Sequence, residues 1–101
     1  MELKAGTHLR SVVSSAEVVV IRAPEGEVEL TMGGLPMVSH DESVEERSVA
    51  PGSEGSALLG KRYTNEASTI EVLCTKAGEG ALAMGGEDLV QKSARPLPSS
   101  D

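Results

Sequence analysis

The chain contains no phenylalanine and no tryptophan, and its one tyrosine is Tyr63. Each aromatic ring would bury roughly 150–250 Å², so a core without them rests on Val, Leu, Ile, Ala and Met alone. At 101 residues there is room for one domain, and a chain of this size buries roughly two thirds of its unfolded surface. A thin aliphatic core leaves stability to be completed by a protein partner or a second copy of the chain.

Cysteine is nearly absent as well. A lone Cys74 excludes an intrachain disulfide and fits a reducing compartment. No apolar run approaches the ~18 residues of a membrane span, and MELKAGTHLRSVV lacks the apolar stretch of a signal peptide. The expectation is a cytoplasmic protein with no membrane partner. Positive charge is scarce: nine Lys and Arg against sixteen Asp and Glu give a net charge of −7. The basic residues are scattered rather than gathered into a patch, which argues against nucleic acid as a partner.

What the chain does contain is a statement made twice. AEVVVIRAPEGEVELTMGG (Ala16–Gly34) and IEVLCTKAGEGALAMGG (Ile70–Gly86) align from Glu17 and Glu71. EVVVIRAPEG and EVLCTKAGEG share five of ten positions, and Arg22 faces Lys76 with charge preserved. ELTMGG and ALAMGG share four of six, after two extra residues, Glu27 and Val28, in the first stretch. Strand side chains alternate faces, so a two-residue gap leaves every later residue on its own face, where a one-residue gap would invert them. The pattern fits an internal duplication.

Periodicity supports strands independently. Val28, Leu30 and Met32 alternate with Glu27, Glu29 and Thr31; Ile70, Val72 and Cys74 alternate with Glu71, Leu73 and Thr75. APEG and AGEG are turn chemistry, so each stretch is expected to form a hairpin. A further strand precedes each hairpin, in His8–Val13 and in Gly60–Thr64, with Asn65–Ser68 as a turn. The expected fold is all-β: a small barrel or sandwich of about six strands, built from two duplicated three-stranded β-meander units with an acidic connecting segment. The units span residues 7–37 and 58–92, the acidic segment 38–57, and a flexible tail 93–101.

Val38–Ala57 carries five acids against Arg47, more than half of the net charge. Ser39 and Glu42 have capping-box spacing, which fits a short helix over His40–Ser48. The segment reads as a solvated linker, with a docking surface for a basic partner or a hard-cation site as alternatives. The acids lack the order of a calcium loop.

Candidate chemistry is sparse. GSALLGKR (Gly55–Arg62) follows the phosphate-loop pattern up to its last position, where Arg62 replaces the magnesium-binding Ser or Thr. The strand–loop–helix context is missing too, so Leu58 and Leu59 are expected to anchor the linker while Gly60 permits a bend. Gly33–Gly34 and Gly85–Gly86 read as sharp corners or bulges. No nucleophile motif is present, and His8 and His40 are the only imidazoles. Adjacent acids such as Asp41–Glu42 lie in a polar segment with no sign of a cleft to raise a pKa.

Cys74 falls on an apolar strand face and fits a small buried hydrophobe. Met32, Met84 and Cys74 together, with Met37 or a histidine, define a candidate soft-metal site suited to Cu(I). No cofactor is expected. With Val18 and Val20 facing the core, Val19 and Ile21 point the other way and need a cover, which makes them the candidate interface. The function expected is a non-enzymatic binding or accessory module that self-associates; the alternative is small-ligand or soft-metal binding in the cleft between the repeats.

Overall fold

A computed structural model describes residues 3–43, 45 and 47–92. The tail assigned to 93–101 lies outside them. Among the described residues the chain is all-β and antiparallel, with no helix. Twelve short strands appear in order: β1 (His8–Arg10), β2 (Glu17–Arg22), β3 (Leu30–Met32), β4 (Leu35–Pro36), β5 (Val38–Ser39), β6 (Ser56–Ala57), β7 (Arg62–Thr64), β8 (Glu71–Lys76), β9 (Gly78–Glu79), β10 (Leu82–Met84), β11 (Glu87–Asp88) and β12 (Val90–Gln91). They build a six-stranded sheet ordered β12-β7-β8-β2-β1-β5, a four-stranded sheet ordered β11-β10-β3-β4, and the pair β6-β9.

β2 and β8 are the longest strands and lie side by side at the centre of the larger sheet. Val19 faces Leu73, Val18 faces Cys74 and Val20 faces Val72. Val18, Val20, Val72 and Cys74 are all at or below 1% exposure, so the alternation read from the sequence matches the burial. The register shifts on either side of this stretch, and such bulges strengthen local twist. Across the smaller sheet Leu82 faces Met32, Ala83 faces Thr31 and Met84 faces Leu30. One core cluster joins Leu9, Val18, Val20, Tyr63, Val72 and Cys74 from the first sheet to Leu30, Met32 and Leu82 from the second.

Many contacts recur at matching places in the two halves. β1–β2 pairs Leu9 with Val18 and β7–β8 pairs Tyr63 with Val72. β1–β5 pairs Leu9 with Ser39 and β7–β12 pairs Tyr63 with Gln91. Outside the ladders, Gly6 donates to Val20 as Gly60 does to Cys74, and Met37 donates to Leu30 as Leu89 does to Leu82.

The expected hairpins differ from this arrangement. β2 does not pair with β3, nor β8 with β10; in each half the chain leaves the large sheet and enters the small one. Both edges of β2 are already taken, by β1 and β8, which leaves β3 no place beside it. Periodicity reports a strand and its buried face but not its neighbours. The sharp corners do form. Gly33 and Gly34 have φ of 67° and 88°, and Gly85 and Gly86 have 59° and 88°. Two successive positive φ values are what a two-residue type I′ hairpin demands.

The linker departs from expectation in its first residues. Ser39 Oγ donates to Asp41 Oδ1 at 2.7 Å, and the Glu42 N–H closes a turn on Ser39 O at 3.0 Å. The serine hydroxyl is spent on its neighbour, so a turn stands where a helix was expected; Val44 and Glu46 lie outside the described residues. Further on, backbone bonds fasten the segment to both halves: Arg47 N–H donates to Val12 O, Ala50 N–H to Gly33 O, and Ala81 N–H to Ser53 O. Leu58 and Leu59 do not anchor its end, being 48% and 66% exposed. Ala57, at 1% exposure, takes that role, together with Tyr63, whose hydroxyl oxygen accepts the Leu58 N–H at 2.9 Å.

Gly26 and Gly80 both hold positive φ, 88° and 114°. A Cβ on Gly26 would meet nothing within 4 Å, whereas on Gly80 it would stand 2.9 Å from the backbone nitrogen of Gly33. Gly26→Ala is expected to cost about 1–2 kcal/mol for the left-handed backbone. Gly80→Ala is expected to lose a further ~1–3 kcal/mol for overpacking. Urea denaturation of the two variants measures the difference, and equal losses would count against the close approach of Gly80 to Gly33.

Candidate binding face of the six-stranded sheet

The side of the large sheet turned away from the core is an ordered array of side chains. Because β2 and β8 alternate, Val19 and Leu73 stand opposite each other at its centre, both half-buried. Ile21 and Thr75 occupy the two register shifts beside them. Ile21 is 38% exposed, and Thr75 Oγ1 donates to Glu17 O at 3.3 Å. Reading across the strands, one row runs Lys92, Arg62, Leu73, Val19, His8, His40. Its middle is aliphatic and its two ends are nitrogenous: an ammonium and a guanidinium at one end, two imidazoles at the other.

Charge on this face is organised around Glu71. Its carboxylate accepts from Lys92 Nζ at 3.0 Å and from Arg62 Nη1 at 3.4 Å. These two chains cover it, so a glutamate on the outer face is only 8% exposed. The Lys92 hydrogen bond is the main cause that holds the Glu71 carboxyl below its ordinary value; burial opposes it, and the charges of Lys92, Arg62 and Arg22 add to it. Glu17 makes one ion pair, with Lys76 at 3.4 Å.

The soft-metal candidates lie elsewhere. Cys74 is 1% exposed and Met32 is fully buried, both within the core cluster, and Met84 packs against it partly buried. Cys74 belongs to the large sheet and the two methionines to the small one. The Cys74 Sγ–H donates to Lys76 O at 3.0 Å, and burial pushes the thiol above its ordinary value. Among the described residues no three His, Cys, Asp or Glu side chains gather into a metal-holding group.

A hollow of about 570 Å³ is lined by Arg10 to Ser15 with Gly78 and Glu79. Its hydroxyls are engaged: Ser14 Oγ donates to Glu79 O, Ser15 Oγ donates to Ala77 O, and Ser11 Oγ accepts the Val13 N–H. Among the described residues, none of these three hydroxyls bonds to a His, Asp or Glu side chain, the partner an activated nucleophile requires. Gly55–Arg62 is likewise no phosphate loop. Gly55 O accepts the Gly80 N–H, Ser56–Ala57 pairs with β9, and β7 follows instead of a helix.

Two residues carry buried polar work: Asn65, at the head of the turn expected over Asn65–Ser68, and Ser11, which sequence reasoning passed over. Asn65 Oδ1 accepts the Thr69 N–H at 2.9 Å while its Nδ2 donates to Thr69 Oγ1 at 2.7 Å, which closes the turn before β8. Ser11 does a similar task before β2, accepting from Val13 at 3.0 Å. An Asn ahead of a turn was the available signal for the first. Among the exposed apolar residues are the Leu58–Leu59 pair, expected to be an anchor, and Val90 on β12.

Compared with known proteins, the chain matches no family model, no curated protein and no solved structure.

Two measurements check this face and the core beneath it. A carboxyl held low when folded contributes stability above its unfolded value, ordinarily 4.5, and loses it as pH falls through the folded value. Lys92→Met is therefore expected to destabilise by under about 1 kcal/mol at neutral pH. The gap from the parent chain should narrow as the pH is lowered below 4.5, followed by urea titration. Cys74 should alkylate at least about a hundredfold more slowly in the folded than in the denatured chain. Comparable rates would place the thiol outside the core.

Proposed function

We propose that this chain is a non-enzymatic β-module, made of two copies of one unit packed as a small sandwich, that acts by binding and associates with a second copy of itself. The duplication is supported by the registers: the pairings of β1–β2 recur in β7–β8, and those of β3–β4 recur in β10–β11. The observation that carries the binding reading is the aliphatic centre of the outer sheet face, Val19 opposite Leu73 with Ile21 beside them. An apolar strip ringed by charge is the usual anatomy of an interface: a dry centre and a wet rim. The rim here is Arg62, Lys92, Glu71, Glu17 and Lys76.

Enzymatic readings find no support in the hollow along Ser11–Ser15, where the hydroxyls are already bonded. The soft-metal alternative through Met32, Cys74 and Met84 carries less weight, because two of its three donors are packed in the core. Residence in the cytoplasm is part of the proposal; among the described residues no helix is long and apolar enough to cross a membrane.

Sedimentation equilibrium of the full chain tests the association. The parent chain is expected to dimerise, and Val19→Glu or Leu73→Glu to weaken the dimer by about thirtyfold or more, as loss of a central contact does. Circular dichroism verifies that each variant keeps its strands. A parent chain that stays monomeric at high concentration overturns the proposal, as does a dimer indifferent to both substitutions.

A further inference from the structure

Both histidines of the chain meet at one place. His8 lies on β1 and His40 directly follows β5, yet their ring centroids are 4.9 Å apart with the planes inclined at 44°. The backbone fixes the encounter: the His40 N–H donates to His8 O at 3.1 Å, so the two are cross-strand neighbours by sheet register rather than by a chance of rotamers. His8 is half-buried and His40 exposed, which leaves the pair open to solvent.

We propose that His8 and His40 form a two-imidazole site for a divalent transition-metal ion of borderline softness, such as Zn(II), Ni(II) or Cu(II). The neutral imidazole nitrogen is the donor these ions prefer. A tetrahedral ion with bonds of about 2.0–2.1 Å brings two such nitrogens about 3.3 Å apart and sets the ring centroids about 5 Å apart when both rings point at it. The separation that coordination asks for is close to the separation present. Among the described residues no third His, Cys, Asp or Glu joins the pair. The described residues thus supply two ligands, and water or a further donor completes the shell.

The charges nearby are mixed but permit a cation. Asp41 follows His40, and its Oδ1 accepts the Ser39 hydroxyl at 2.7 Å. Arg10 is one residue beyond Leu9 and is turned to Glu42 O at 3.4 Å. At the far end of the same row, the positions corresponding to His8 and His40 hold Arg62 and Lys92, whose charges are spent on Glu71. This site stands independently of self-association, since it needs only β1 and the end of β5.

The test is equilibrium dialysis of the chelator-stripped full chain against Zn(II) and Cu(II), with nitrogen-15 imidazole spectra of the unsubstituted protein in parallel. One ion per chain is expected. His8→Ala and His40→Ala should each weaken binding by about a hundredfold, because two-point attachment becomes one-point. Both imidazole signals should move together and reach their limit at one equivalent. No bound ion overturns the proposal. So does binding that survives both substitutions, which would place the ion on carboxylates, and so does perturbation of one imidazole alone. The spectra use the unsubstituted chain and decide the matter even where a variant fails to fold.

Discussion

The antiparallel ladder between β2 and β8 ties residues 17–22 to residues 71–76, and the rest of the large sheet is added outward from it. Its inner face supplies Val18, Val20, Val72 and Cys74 to the core, and its outer face supplies the aliphatic centre of the candidate interface. A shift of one residue would exchange those two faces and turn Glu71 into the core in place of Val72. β-Branched and aliphatic residues hold the register by filling a core that contains a single aromatic ring. The bulges at Ile21 and Thr75 then twist the ladder while leaving its centre aligned.

Much of this was legible in the chain itself. Alternation in VELTM and IEVLC located strands and their buried faces, because burial on one side of a pleat writes a period of two. The Gly–Gly pairs marked corners, since two successive positive φ values leave little alternative to glycine. Partnership was not legible. Nothing in EVVVIR says that it pairs with EVLCTK and not with LTM, because a strand pairs through its backbone, which every residue shares. For the same reason the two-residue strands after the glycine turns left no periodic trace.

The face is legible only in part. Val19 and Ile21 could be singled out as apolar residues on the wrong side of a strand. Their environment required the pairing: that Val19 meets Leu73, that Arg62 and Lys92 converge on Glu71, and that His8 touches His40. Each of those contacts joins residues from different strands, and in a sheet the row across the strands is a property of register rather than of any one segment. The halves agree in their aliphatic centre and differ in what their outer strands carry, cations on one side and imidazoles on the other. In the proposed association, that difference is what a partner could distinguish, while the shared centre supplies area.

The fastening of the acidic segment has a consequence for how the protein responds to ionic strength. Most of its ties to the rest of the chain are amide-to-carbonyl bonds, as at Val12, Gly33 and Ala81, groups without net charge that added salt does not screen; the Arg10 guanidinium on Glu42 O is a charged one. The ion pairs found among the described residues all lie on the large sheet, at Glu17 and Glu71. Raising the salt concentration would therefore loosen the outer face of that sheet while relieving the mutual repulsion of a chain carrying −7. The segment with the densest charge would keep its amide-to-carbonyl attachment while the ion pairs of the sheet weaken.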